Sequence, residues 1–127
     1  MRERSKMSLE KYIDLSKRYF EQALEMIDEG NHVKAGEMLW GATAEMVKAL
    51  ALNRGLELKS HGEIWDYVTK LSEETEDREI LKLFHVANSL HVNFYENWMP
   101  PKAVEEDAKF IKALIEKLEA LMGSILP

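Results

Sequence analysis

The sequence predicts an all-α protein, an up-and-down antiparallel four-helix bundle with one short extra helix. Three observations carry this. No stretch sustains the apolar/polar alternation of a half-buried strand, whereas apolar residues recur at helical spacing throughout. Five such segments are separated by brief breaks of Gly, Asn, Pro or clustered charge. Four of them hold about 20 residues, roughly 30 Å of helix each, and short connections make sequential neighbours antiparallel. The 127 residues fit one domain, 1–127, with no internal repeat and no linker.

The first helix is expected to start after Ser8 as N-cap and to run to about Glu29, leaving residues 1–7 as a flexible basic arm. Leu9, Ile13, Phe20, Leu24 and Ile27 form one stripe, with Tyr12, Ser16, Tyr19, Ala23 and Met26 beside it. Gly30-Asn31 closes this helix and opens the next, with Gly as the left-handed cap and Asn as N-cap. The second helix spans His32 to about Asn53. Its Ala35, Gly36, Gly41, Ala42 and Ala44 are small, so other helices can approach closely; each interior glycine costs roughly 1 kcal/mol against Ala. Ser60-His61-Gly62-Glu63 reads as a capping box opening a short third helix, with Ile64, Trp65, Val68 and Leu71 inward. "SEETEDRE" reads as a charged turn. The fourth helix is expected from about Glu76 to Trp98, stopped by Met99-Pro100-Pro101. Pro101 suits the first turn of the fifth helix, whose core stripe is Val104, Ala108, Ile111, Ile115, Leu118 and Met122, ending at Gly123.

Composition narrows the function classes. There is no cysteine, which excludes disulfides, thiol catalysis and cysteine-ligated metal. The charged start "MRERSKMSLEKY" is no secretory signal, and no apolar run approaches the roughly 18 residues of a spanning helix. A cytoplasmic protein without membrane contact is expected. Abundant Glu and Lys, a single Gln and no Cys lean towards a thermophile. The net charge of −6 argues against a surface that coats nucleic acid. Residues 1–18 nevertheless carry six positive and three negative groups, a net of +3, which leaves −9 for the remainder. That stretch is a solvated arm and helix face, or a docking patch for phosphate or an acidic partner.

Chemistry-bearing side chains cluster in "SLHVNFYENWMPP". Asn88, His91, Tyr95 and Trp98 follow at helical spacing and form one stripe. This is an aromatic packing seam with a hydrogen-bonded His, or a general acid/base group with orienting neighbours. A third reading is a ligand-binding bundle with a pocket between Trp40 of the second helix, His91, Tyr95 and Trp98. Glu45 sits among small apolar residues and is expected to pair with a cation from another helix; Lys48 and the cap residue His61 complete the candidate binding set. His85 and His91 lie six residues apart, about 120° out of alignment, so they do not form a helical metal pair. With no HExxH and no Glu-x-x-His, no metal and no cofactor are expected.

The run "AGEMLWGATAEMVKALALNRGLELKSHGEIWDYVTKL" resembles the HEPN superfamily of small helical bundles. The elements are Ala44 and Glu45, Lys48-Ala49-Leu50, Gly55, Ser60-His61 and Leu71. "ANSLHVNFYENWMPP" and the helix after it look like the closing pair of that fold, with the archaeal PaREP group the nearest likeness. The resemblance implies a homodimer. It also implies a setting among toxin–antitoxin or defence proteins, with RNA or a nucleotidyltransferase-like protein as partner. HEPN nucleases carry Arg, four to six residues, then His: Arg to hold a phosphate and His to move a proton. Here no arginine follows Arg78. Arg78 to His85 fits the longest spacing, with Glu79 where a neutral polar residue is usual, and Arg54 to His61 fits across a loop. The expected function is therefore a non-catalytic HEPN-like binding module. The alternative is a metal-independent ribonuclease using His91 or His85 with Arg78 or Arg54.

Overall fold

Helix α2 (His32–Asn53) is the axis on which the other helices hang. The computed structural model describes the backbone of residues 2–125 and the side chains of residues 8–123. Five helices follow in order: α1 (Arg2–Asp28), α2, α3 (His61–Thr75), α4 (Arg78–Glu96) and α5 (Pro101–Ile125). No strand occurs among the described residues. Helix α1 packs mainly on α2, and it barely touches α5. Helices α4 and α5 pack on α2 and on each other, and α3 lies against α4 and α2. The bundle is thus all-α and closes through its second helix.

That role follows from the residues of α2. Ala35, Gly36, Ala42, Thr43, Ala44, Ala49 and Ala51 are buried, so its surface is low enough for neighbours on several sides. A Cβ on Gly36 would stand 3.3 Å from Leu90 Cδ2, and one on Gly41 would stand 3.2 Å from Tyr19 Cδ2. The first approach lets in α4 and the second α1. Ser16 Oγ donates to the Ala42 carbonyl at 2.7 Å, which adds a buried polar tie between α1 and α2. Leu39, Met46, Val47 and Leu50 fill the space between the close approaches and are fully buried. The start of α2 is tied to α5 by His32 Nε2 and Glu105 Oε2 at 2.9 Å.

Several boundaries differ from the sequence reading. Helix α1 begins at Arg2 and runs through Ser8, which is interior and caps nothing. The side chains of the basic arm, residues 1–7, lie outside the described residues. Leu24, placed in the core stripe, is exposed, while the smaller Ser16 and Ala23 are buried because only small side chains fit where α1 meets α2. Gly30 (φ 83°) does cap α1: Asn31 N–H donates back to the Met26 carbonyl and Gly30 N–H to that of Ile27. Asn31 is the N-cap residue of α2 without a side-chain cap bond. Helix α3 continues through Ser72 to Thr75, so the charged turn shrinks to Glu76 and Asp77. Glu76 adopts the left-handed conformation (φ 56°) there, and Ser72 Oγ donates to the Asp77 carbonyl at 2.8 Å. Helix α4 stops before the prolines. Asn97 turns left-handed (φ 51°), and buried Asn93 Oδ1 accepts from the N–H groups of Trp98 and Met99 at 2.8 and 2.7 Å. Helix α5 passes through Gly123 to Ile125. The capping box at Ser60 and Glu63 forms with both reciprocal bonds.

Two measurements follow. Gly41→Leu should lower stability by about 1–3 kcal/mol in urea unfolding, because the added atoms meet Tyr19 on α1, which the Ser16–Ala42 hydrogen bond ties to α2. Asp77 caps α4 and accepts from Lys117 Nζ at 2.8 Å. That hydrogen bond holds the Asp77 carboxyl below the ordinary carboxylate range, and it holds the Lys117 amine above its usual value. The unfolded chain therefore binds a proton to Asp77 more readily than the folded one, and this contribution to stability grows as pH rises. Asp77→Asn keeps a capping oxygen and loses the charge. The melting-temperature gap between wild type and Asp77→Asn should be full at neutral pH. It should close as pH falls below the ordinary carboxylate pKa of about 3.9.

Candidate functional site

The candidate site lies on the face where α2 and α4 run side by side beyond the start of α3. Helix α3 begins at His61, level with Trp40 in the middle of α2, so the N-terminal half of α2 and the C-terminal end of α4 project past it. Four rings meet there. Trp40 stacks on His61 with centroids 4.8 Å apart and on His91 at 5.1 Å. His61 and His91 stand 5.1 Å apart, and Tyr95 meets His91 edge-on at 5.6 Å. Trp40 is only 7% exposed and rests on Phe84, whereas Tyr95 is 72% exposed. The cluster therefore has a buried indole base, two imidazoles above it, and a phenol ring open to water.

Glu37 sets the chemistry of this face. Its Oε1 lies 2.8 Å from His91 Nδ1, across 54 residues of sequence. A carboxylate only accepts, so Nδ1 carries the proton, and Nε2 is an acceptor whenever the ring is neutral. Glu37 stands one helical turn before Trp40 on the same side of α2, so one helix supplies both the indole and the carboxylate. Among the described residues no lysine or arginine pairs with Glu37. Arg54 is held at Glu74, 3.2 Å away, and Arg78 lies in a different groove. Among the described residues no group of three or more His, Asp or Glu side chains could hold a metal ion.

The remaining expected site residues separate. Asn88 is half-buried on the His91 side of α4. Trp98 leaves the stripe because α4 ends at Glu96; it stands 57% exposed in the loop before α5. Glu45 and Lys48 pair with each other along α2, 3.7 Å apart, so the cation comes from the same helix and not from a neighbour. Glu45 Oε2 is buried without a hydrogen-bond partner. Five residues beyond Trp40, Glu45 points about 140° away from the ring cluster. Arg78 and His85 line one groove of about 730 Å³ between α3 and α4, with Thr69, Ser72, Glu73 and Lys82. His85 is exposed there and meets Trp65 edge-on at 5.0 Å. Tyr67 is buried beneath Arg54, and burial pushes its hydroxyl above the ordinary tyrosine value against the pull of that cation.

A model of the archaeal PaREP1/PaREP8 family matches residues 11–115. The chain belongs to this family. The match takes in the whole ring cluster and the groove between α3 and α4. A crystal structure of a protein from Sulfolobus solfataricus superposes with a TM-score of 0.73 at 24% identity, over 84% of this chain and 94% of that one. It shares the fold. Among curated proteins there is no match. No helix among the described residues is long and apolar enough to cross a membrane.

Within this PaREP fold Trp40 and Trp98 should respond very differently to truncation. Trp40→Ala removes a buried ring that supports two imidazoles and should cost about 3–5 kcal/mol in chemical unfolding. Trp98→Ala, at an exposed loop position, should change stability by less than about 0.5 kcal/mol.

Proposed function

We propose that this PaREP family member is a non-catalytic, HEPN-like binding module whose His91 face docks a partner protein. One observation carries the reading. Tyr95 and Phe94 stand exposed in edge-on contact and continue the Trp40–His61–His91 cluster, with Glu37 as the charged group bonded to His91. Large rings with polar tips, backed by a rigid buried base, are the usual anchors of protein interfaces. Trp98 and Val92 add exposed apolar surface near the same end of α4. A phosphate backbone would need cations here, and Arg54 and Arg78 are both placed elsewhere. A nucleotidyltransferase-like protein in a toxin–antitoxin or defence setting is the partner that the HEPN resemblance implies, with the module itself as a homodimer.

Co-purification from the native host tests this. Tagged wild type should retain a specific partner that Tyr95→Ala/Trp98→Ala loses while its helical circular dichroism is unchanged. Equal recovery by both forms would sink the reading.

A metal-independent ribonuclease is the second reading. It is supported by Arg78 and His85 lining one groove, an arginine and a histidine within one surface as phosphate binding and proton transfer require. Structured RNA incubated with wild type, His85→Ala, His91→Ala and Arg78→Ala should remain intact in all four if the binding module is right. Cleavage by wild type that is lost in Arg78→Ala and His85→Ala would establish the nuclease instead.

A further inference from the structure

The groove between α3 and α4 is separate from the His91 face and has its own chemistry. Its volume of about 730 Å³ falls among small-molecule sites, which run roughly 300–1,000 Å³. Its surface is mostly apolar, with Leu81 in its lining. On the α4 side Arg78, Lys82 and His85 recur at i, i+4 and i+7 and so share one helix face. On the α3 side stand Glu73 and, at the turn, Glu76. Among the described residues none of Arg78, Lys82, Glu73 and Glu76 makes an ion pair, although all four line the same space. The hydroxyls of Thr69 and Ser72 donate to the Trp65 and Asp77 carbonyls, so towards the groove they offer acceptors only.

A wall of cations thus faces a wall of carboxylates across a mostly apolar surface. A simple anion is repelled by Glu73 and Glu76, and a simple cation by Arg78 and Lys82. A molecule carrying both signs on an apolar frame satisfies both walls at once. We propose that this groove binds a zwitterionic, amphipathic small molecule of the short apolar peptide type. Its carboxylate meets Arg78 and Lys82, its ammonium meets Glu73 and Glu76, and its apolar body covers Leu81. The planar fork of Arg78 suits a carboxylate in two-point contact. The inference does not depend on the His91 face, and its acidic wall sets the groove against a phosphate backbone.

The probe is the dipeptide phenylalanyl-phenylalanine, titrated calorimetrically into the full chain. Its N-acetyl form carries only the anion, its amide form only the cation, and its doubly blocked form neither. The zwitterion should bind about tenfold more tightly than either singly charged form. Neutralising one wall, Arg78→Gln/Lys82→Gln or Glu73→Gln/Glu76→Gln, should weaken the zwitterion by about tenfold and remove its advantage over one blocked form. Leu24→Ala, exposed on α1, which packs on neither α3 nor α4, should bind like wild type. Equal affinity for all four forms, or no saturable heat with the zwitterion, would overturn the proposal. So would a concentration-dependent dimer that excludes the probe and dissociates in Arg78→Gln/Lys82→Gln, since a second copy would then fill the groove. The comparison among probe forms uses wild type alone, so it stands even where a variant fails to fold.

Discussion

Everything in this bundle depends on how closely helices can approach α2. At Gly36 and Gly41 side-chain carbons of Leu90 and Tyr19 occupy space that a Cβ would crowd, at 3.3 and 3.2 Å from its ideal position. Two interior glycines weaken an isolated helix by roughly 1 kcal/mol each. The packing they permit offsets that, because dispersion and apolar burial rise steeply as surfaces close. With α2 this slim, α1 and α4 both seat against it and Leu39, Met46, Val47 and Leu50 become a shared core. The same closeness brings Glu37 and Trp40 within reach of His91. The candidate site is thus a consequence of the central packing.

The short third helix decides where that site opens. The capping box at Ser60 and Glu63 fixes the start of α3 level with Trp40. Beyond that point the rest of the α2–α4 face keeps its rings exposed to water, Tyr95 above all. Towards the other end α3 lies along α4, and the gap between them is the groove walled by Arg78 and Lys82 on one side and Glu73 on the other. One helix start therefore divides the outer side of α4 into an aromatic face and a charged groove. Each has its own chemistry.

The helix boundaries show where local sequence rules stop. Two left-handed caps fall on Glu76, a residue type that rarely adopts positive φ, and on Asn97, one that does so more readily. At Asn97 the holding group is Asn93, whose buried carbonyl oxygen takes the next two backbone N–H groups. Met99-Pro100-Pro101 marked this region as a break, yet the helix ends four residues before the first proline because Asn93 captures the chain first. Ser8 looked like a cap by residue type, but nothing local ends the helix before it, and the helix begins at Arg2.

Periodicity and small-residue placement in the sequence determined the all-α class, the five helices, the close approaches on α2 and most of the α5 core. These are properties of one helix at a time: an apolar stripe must be buried, and a glycine row invites a neighbour. His61, His91, Trp40 and Tyr95 were legible as candidates by residue type. Their assembly was not, because Glu37 reaches His91 over 54 positions and no spacing rule within one helix encodes a partner on another. Only the tertiary structure decided that Glu45 turns away to pair with Lys48, and that Trp98 falls off the α4 stripe. It also decided that Arg78 stands with His85 and not with His91. In each case the physical reason is the same: a side chain's function is set by which surfaces packing brings within a few ångströms, and that depends on the axial shift and rotation of whole helices.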